Sequence, residues 1–195
     1  MWENTSHQCN AILEMVRTSL QSLVALASAT TGIAANLLHL GRTVHSSLKA
    51  PLILSKESAL QVSGQSSLAN LVRMAKLILI DEATMLDRLL LEDLGRSLRD
   101  LMGEQKTPFG GKTLLPARDF RHCLPVVKEA DRAQTVKHCI NRSHLWRFFE
   151  ILCLTENMRV KSSGDAELEA FNQWTLSFID GASNEEILQT DIHRH

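Results

Sequence analysis

The stretch LILIDEAT, residues 77–84, decides the fold of this chain. It joins four aliphatic residues, Leu77 to Ile80, directly to two acids, Asp81 and Glu82. A short, unbroken apolar run is typical of a strand that is buried on both faces at the centre of a parallel sheet. Open parallel sheets bind ligands at the carboxyl ends of their strands. The pattern therefore predicts a binding site at Asp81 and Glu82.

The chemistry of the two acids is compatible with a nucleotide site. In the Walker B arrangement of nucleoside triphosphatases, one acid holds Mg²⁺, usually through water, and the other orients an attacking water. A buried strand that merely ends in a solvated acidic turn would show the same residues. The stretch alone leaves both interpretations open, and the rest of the chain decides between them.

The composition indicates an ordinary globular protein. The 195 residues are 44% apolar and 22% charged, enough for one domain with a substantial core. The net charge of −1 means that any nucleic-acid site must be local. No apolar run is long enough to span a membrane, and no secretory signal is visible, which predicts an intracellular protein without a membrane partner. The scattered cysteines Cys9, Cys123, Cys139 and Cys153 favour free thiols.

Predicted helices and strands alternate along the chain. The predicted strands are 23–29, 77–80, 112–115 and 149–154, and the predicted helices are 10–20, 33–38, 68–74, 85–102, 132–140 and 166–179. This alternation favours an α/β fold with a parallel sheet and flanking helices. The longest helix repeats leucine at three- and four-residue steps, and Gly103 is expected to cap its C-terminus.

Polar residues follow the ends of the predicted strands. They are Thr31, Asp81, Glu82, Asp119, Arg121 and Arg159. Because the carboxyl ends of parallel strands lie at one edge of a sheet, these residues are expected to form one candidate active site. An alternative from the same residues is a metal-dependent phosphohydrolase that uses Asp81 and Asp119.

Motifs in the expected order resemble those of the petite-integration-frequency family of 5′-to-3′ DNA helicases, most closely the branch with Helitron transposon helicases. They are TTGIAANLL, GRTVHS, LILIDEAT, PFGGKT with DFRHCLPVV, INRSHLW and LTENMR. The resemblance covers roughly residues 10–179. It implies a RecA-like (P-loop NTPase type) α/β fold, truncated at the N-terminus. The expected division is a disordered start at 1–9, a partial first motor domain at 10–160, and a C-terminal helix and tail at 161–195.

The resemblance also implies roles at a nucleotide site for ATP and Mg²⁺. Asp81 would bind Mg²⁺ through water, and Glu82 would activate the attacking water. Arg159 would reach the γ-phosphate, where a cation offsets the charge on the transferring phosphoryl group. Arg121 would contact the nucleotide, and His122 stands at the degenerate position of a sensor glutamine.

For DNA, the resemblance implies that Thr43 and His45 lie near a single strand, where they can contact phosphates without reading sequence. Taken alone, a histidine after a turn is more often one at the start of a helix or in the core. The implied partners are single-stranded and duplex DNA, and the oligomeric state is left open. The implied processes are repair, recombination and telomere maintenance, in the nucleus or alternatively in mitochondria.

The chain departs from the family pattern at three places. Before Asn10 stands only MWENTSHQC, without the glycines and lysine of the phosphate-binding loop GxxxxGK[ST], and the GKT at 111–113 enters a strand instead. Ala117 and Arg118 replace two glycines, and His122 replaces a glutamine. The resemblance also leads us to expect that the chain holds one motor domain and not the second. These departures predict a helicase fragment; the alternative is a catalytically inactive remnant or a weak nucleotide- or DNA-binding module.

Overall fold

The structure of the chain is a computed structural model. It describes residues 2–19, 23–55, 57–117, 124–127 and 129–152, together with Glu167, Ala170, Phe171 and Trp174. The backbone falls into two units, Met1–Glu150 and Ile151–His195. The strands and helices named below all belong to the first unit. Among the helices in the described residues, none has the length and apolar content to cross a membrane.

A parallel sheet forms the centre of the first unit. The strands in the described residues are β1 (Val24–Ala29), β2 (Arg42–Thr43), β3 (Ala75–Asp81) and β4 (Thr113–Pro116). Their order in the sheet is β2-β1-β3-β4, and each neighbouring pair is parallel. The α/β fold predicted from the sequence is confirmed, and β3 lies in the interior of the sheet.

Strand β3 is buried on both faces, as its apolar run predicted. Because side chains alternate along a strand, Leu77 and Leu79 face one hydrophobic cluster, while Ile78 and Ile80 face another. All four side chains are buried. The interior position of β3 places Asp81, its last residue, between the ends of two neighbouring strands.

Helices cover both faces of the sheet. They are α1 (Trp2–Thr18), α2 (Gly32–Leu37), α3 (Val44–Ser47), α4 (Ser67–Met74), α5 (Arg88–Met102) and α6 (Arg132–His138). Helices α1 and α2 pack on the face of Leu77 and Leu79, and α3, α4 and α5 pack on the face of Ile78 and Ile80. Helix α6 lies against α5 and is joined to its start by a bridge between Asp87 and Cys139.

Helix α5 begins three residues later than its leucine repeat predicted, because Ala83–Met85 forms a 3-10 turn. Asp87 caps it, with its side chain accepting a hydrogen bond of 2.7 Å from the Leu89 N–H. Gly103 ends it in the left-handed conformation at φ 66°, as predicted. The buried leucines of α5 are Leu90, Leu91, Leu94 and Leu98.

Helix α1 differs from the expectation of a disordered start at residues 1–9, because it begins at Trp2. Ser6, Cys9 and Leu13 follow one another at three- and four-residue steps and are all buried. The apolar stripe of this helix therefore continues on the N-terminal side of Asn10. Its packing stabilises the part of the helix that precedes Asn10.

The predicted strand at 149–154 is not seen in its described part, since residues 149–152 form no strand. The ring of Phe149 instead packs against Phe109 and Trp146, with centroid distances of 5.4 and 5.6 Å. Of the predicted helix at 166–179, the four described residues are helical. The remainder of both elements lies outside the described residues, and the division at 160/161 stays a prediction.

Candidate nucleotide and DNA site

The carboxyl ends of the strands meet at one edge of the sheet. In the register of the sheet, Ala29 of β1 pairs with both Thr43 of β2 and Asp81 of β3, and Ile80 pairs with Pro116 of β4. The residues that follow these strands are therefore neighbours in space. For Thr31, Asp81 and Glu82 this agrees with the convergence that the sequence predicted, while Asp119, Arg121 and Arg159 lie outside the described residues.

Asp81 is a deeply buried acid at this edge, with only 1% of its surface exposed. Its Oδ1 accepts a hydrogen bond of 2.9 Å from the backbone N–H of Glu82. Its Oδ2 accepts one of 2.9 Å from the hydroxyl of Ser6, which is itself 7% exposed and lies near the start of α1. A buried carboxylate is therefore held in place by one backbone and one side-chain donor.

Ser6 was not among the residues that the sequence assigned to the site. Its hydrogen bond joins residues that are 75 positions apart, so no local pattern reveals it. The available signal was its place: it is a hydroxyl residue in the segment where the GK[ST] motif of the family would stand. Because the GxxxxGK[ST] pattern is defined mainly by its glycines and lysine, which this segment lacks, a single hydroxyl does not identify it.

Glu82 lies in a turn whose backbone is held by hydrogen bonds to the segments that follow two neighbouring strands, β1 and β4. Its φ and ψ are 53° and 38°, a left-handed conformation that is costly for a non-glycine residue and that is concentrated at functional sites. The Thr30 hydroxyl donates to the Glu82 carbonyl at 2.9 Å, and the next residue, Ala83, donates its N–H to the Ala117 carbonyl at 2.9 Å. The segments that follow β1 and β4 thus hold the second acid in place.

The oxygens of Asp81 and Ser6 fit Mg²⁺. Mg²⁺ prefers oxygen ligands and is usually bound by only one or two protein groups, since water and substrate phosphates complete its octahedron. A buried carboxylate beside a hydroxyl meets that need. In the described part of the chain there is no cluster of three or more His, Cys, Asp or Glu side chains that could enclose a metal by itself.

Cys9 lies almost one helical turn after Ser6, and only 3% of its surface is exposed. Burial, and to a smaller extent the charge of Asp81, raises the pKa of its thiol from 9.0 to about 12. The thiol therefore stays neutral at physiological pH. It packs beside the acids as an apolar group and contributes no charge to the site.

The two residues assigned to DNA occupy different surroundings. The Thr43 hydroxyl caps α3 by accepting a hydrogen bond of 3.3 Å from the Ser46 N–H. The side chain of His45 lines an open groove of about 400 Å³ whose other lining residues include Thr30 and His138. We call this the His45 groove. Of the two residues, His45 has the more direct access to a ligand.

Three predicted nucleotide-site residues, Arg121, His122 and Arg159, lie outside the described residues. Their roles stay predictions. The same holds for the alternative site that pairs Asp81 with Asp119, because Asp119 also lies outside the described residues.

RecA-like nucleotide-binding motors have a parallel sheet flanked by helices. At the carboxyl ends of their strands they carry a hydroxyl–carboxylate pair and a second acid, as this chain does. The chain belongs to the PIF1-like helicase family, whose family model matches residues 5–189. The family resemblance seen in the sequence is confirmed. Its placement in the Helitron branch stays a prediction.

Solved structures of similar fold are Pif1 helicases. Bacteroides Pif1 bound to ssDNA is 22% identical, with a TM-score of 0.66 over 79% of this chain and 36% of that one. The complex of Bacteroides Pif1 helicase with ADP-AlF3 and ssDNA is 23% identical, with a TM-score of 0.65 over 79% and 36%. Pif1 helicase from Candida albicans is 25% identical, with a TM-score of 0.53 over 74% and 32%.

The chain spans about a third of the length of these Pif1 structures. No curated protein matches it. The solved structures therefore support its fold, and the family model supports its membership among the PIF1-like helicases.

Proposed function

We propose that the chain contributes the first motor domain of an ATP-dependent 5′-to-3′ DNA helicase. The observation that carries the proposal is the hydrogen bond between Ser6 and Asp81 at the edge where Glu82 is held. P-loop nucleotide hydrolases hold Mg²⁺ with a serine or threonine of the phosphate loop and the Walker B aspartate. Ser6 and Asp81 are a pair of this kind, already in contact.

The proposed roles follow from the chemistry of each residue. ATP would supply the γ-phosphoryl group, and Mg²⁺ would offset its negative charge. Asp81 and Ser6 would hold the cation, and Glu82 would orient the attacking water and accept its proton. Arg159, and with it Arg121, would place positive charge beside the transferring phosphoryl oxygens.

For DNA, we propose contacts at Thr43 and His45. The imidazole of His45 lines an open groove, so its ring nitrogens can meet a phosphate. The Thr43 hydroxyl accepts one hydrogen bond from the backbone and can still donate one to a ligand. Both contacts involve the DNA backbone, so binding is expected to be independent of sequence.

One observation favours a second candidate, a nucleotide- or DNA-binding module without turnover. If Ser6 is the hydroxyl of the GK[ST] motif, then Thr5 stands where the motif has lysine. A threonine cannot neutralise the β- and γ-phosphates. We therefore expect little or no ATP hydrolysis by this chain itself.

The test compares ATP binding and hydrolysis by the purified chain, with Mg²⁺ and with or without single-stranded DNA. We expect Ser6→Ala to weaken Mg²⁺-dependent nucleotide binding by roughly tenfold, the loss of about one charge-assisted contact, and Ser6→Thr to preserve it. Glu82→Gln should leave binding unchanged. DNA-stimulated hydrolysis that Glu82→Gln abolishes would support the active motor. Binding without hydrolysis would support the second candidate, and the absence of both nucleotide and DNA binding would contradict both.

We further propose that the protein acts in the processes of its family, namely repair, recombination or telomere maintenance. Its proposed location is the nucleus or alternatively the mitochondria. The support is family membership. Fluorescence imaging of the tagged protein in its own cells would test the location, and exclusion from both compartments would contradict it.

A further inference from the structure

Four cationic side chains line one open pocket beside the start of α5. The pocket has a volume of about 690 Å³ and lies between α5, α6 and the 3-10 turn Ile140–Arg142. Its lining residues are Arg88, Arg132, Lys137 and Arg142, with Ala133 and Val136 as its apolar part. We call it the basic pocket. A net charge of −1 for the whole chain makes this local concentration of positive charge unusual.

Among the residues that the structure describes, no carboxylate pairs with the basic pocket. Within the described residues, none of its four cations forms an ion pair. The nearby acids have other partners: Asp87 pairs with His138 at 2.7 Å, Glu92 accepts from the Ser143 hydroxyl at 3.0 Å, and Asp131 caps α6. The Nε of Arg88 is also buried without a hydrogen-bond partner among the described residues. The pocket thus presents positive charge that the described chain leaves unpaired.

The basic pocket adjoins the His45 groove. Asp87 and His138 line the groove, while Arg88 and Lys137, their neighbours in the chain, line the basic pocket. The Asp87–His138 pair of the groove is therefore next in the chain to two cations of the basic pocket. A linear polyanion that contacts His45 can therefore pass the Asp87–His138 pair and also contact the basic pocket.

We propose that the basic pocket binds the phosphodiester backbone of single-stranded DNA that runs on from the His45 groove. Guanidinium groups bind phosphate oxygens in pairs of parallel hydrogen bonds, and lysine adds a point charge. The apolar part at Ala133 and Val136 suits a deoxyribose or a base face. This inference rests on the DNA binding proposed above and adds a second contact region to it.

The experiment measures binding of the full chain to fluorescein-labelled oligo(dT) by anisotropy at several salt concentrations. The test variant is Arg132→Ala with Lys137→Ala, and the control is Lys76→Ala with Lys106→Ala. All four side chains are exposed, and both variants remove two positive charges. We expect the test variant to bind roughly tenfold more weakly at low salt, and the slope of log affinity against log salt to fall by about 1.4.

The control should bind like the wild type. Equal affinity and slope for the test variant and the wild type would overturn the inference and leave the proposed function intact. Absence of oligo(dT) binding by the wild type would overturn both. Pocket-dependent binding of polyglutamate without pocket-dependent binding of DNA would assign the pocket to an acidic protein and overturn the DNA assignment. If the double variant fails to fold, Arg142→Ala gives the same test with a slope change of about 0.7.

Discussion

At the scale of single residues, the environment of Cys9 shows how burial controls charge in the candidate site. The thiol lies close enough to Asp81 for the carboxylate to raise its pKa, although burial is the larger cause. A thiolate there would add a like charge beside the two acids of the candidate site, Asp81 and Glu82, and would be repelled by them. A neutral Cys9 avoids this repulsion.

This gives a prediction for cysteine chemistry. At pH 8.5, iodoacetamide should modify Cys9 more than about tenfold more slowly in the native chain than in urea, because the thiolate is the reactive form. Folding raises the pKa from 9.0 to about 12, so this group's contribution to stability is fully present below pH 9 and is lost as the pH rises towards 12. Peptide mapping by mass spectrometry measures the labelling. Equally fast labelling of the native and the unfolded chain would contradict the raised pKa.

At the scale of secondary-structure elements, the contact between α5 and the 3-10 turn Pro108–Gly111 depends on glycine. Gly110 has φ +60°, and an added Cβ would stand 2.6 Å from the carbonyl oxygen of Leu98. Gly111 has φ +75°, but its nearest neighbour would be 4.0 Å away. The two adjacent glycines therefore share the strained backbone region and differ in the space around them.

We expect Gly110→Ala to lower the free energy of unfolding by about 3 kcal/mol, because it combines left-handed strain with a clash against backbone. Gly111→Ala should lower it by about 1 kcal/mol, since only the strain applies. Urea unfolding followed by circular dichroism measures both. Equal losses for the two variants would show that α5 and the turn are not packed as described.

Elements with a strong local pattern were predictable from the sequence. The apolar run of β3 and the leucine repeat of α5 identify their elements because burial repeats at the period of a strand or a helix. The start of α1 and the non-strand conformation of 149–152 were missed, since each depends on packing against distant residues. Phe149, for example, looks like part of a strand until its ring contacts with Phe109 and Trp146 are known.

The same distinction applies to the candidate site. Asp81 and Glu82 were predictable, because the acids directly follow a recognisable strand. The contact of Ser6 with Asp81 was not, since it depends on how α1 packs on the sheet. The positive φ of Glu82 was equally hidden, because it is held by hydrogen bonds from the segments after β1 and β4.

At the scale of the whole molecule, the average charge conceals the distribution of charge. The sequence excluded a global basic field, and the structure agrees, yet four cations that are scattered over 55 positions, from 88 to 142, line one pocket. A charge count along the chain cannot find such a pocket, because α5, α6 and the 3-10 turn Ile140–Arg142 must first fold together. Local fields of this kind govern where a polyanion binds.

The described members of the two hydrophobic clusters lie within the first unit, so we expect this unit to fold without the second. The cluster that contacts α1 runs from Cys9 to Leu79 in its buried members, and the other from Val44 to Leu145. We expect a chain that ends at Glu150 to unfold cooperatively in urea, within about 1 kcal/mol of the full chain, because the truncation removes no described buried member of either cluster.

A chain that ends at His138 is the matched control for this truncation. It lacks Ile140 and Leu145, two buried side chains of the second cluster, and should lose roughly 4 kcal/mol or more. If the chain ending at Glu150 is also unfolded, then the segment after 150 must supply part of the core. The strand that the sequence predicted at 149–154 would have had this effect. Cooperative unfolding of the chain that ends at Glu150 would instead place the whole folding unit of this PIF1-like motor before residue 151.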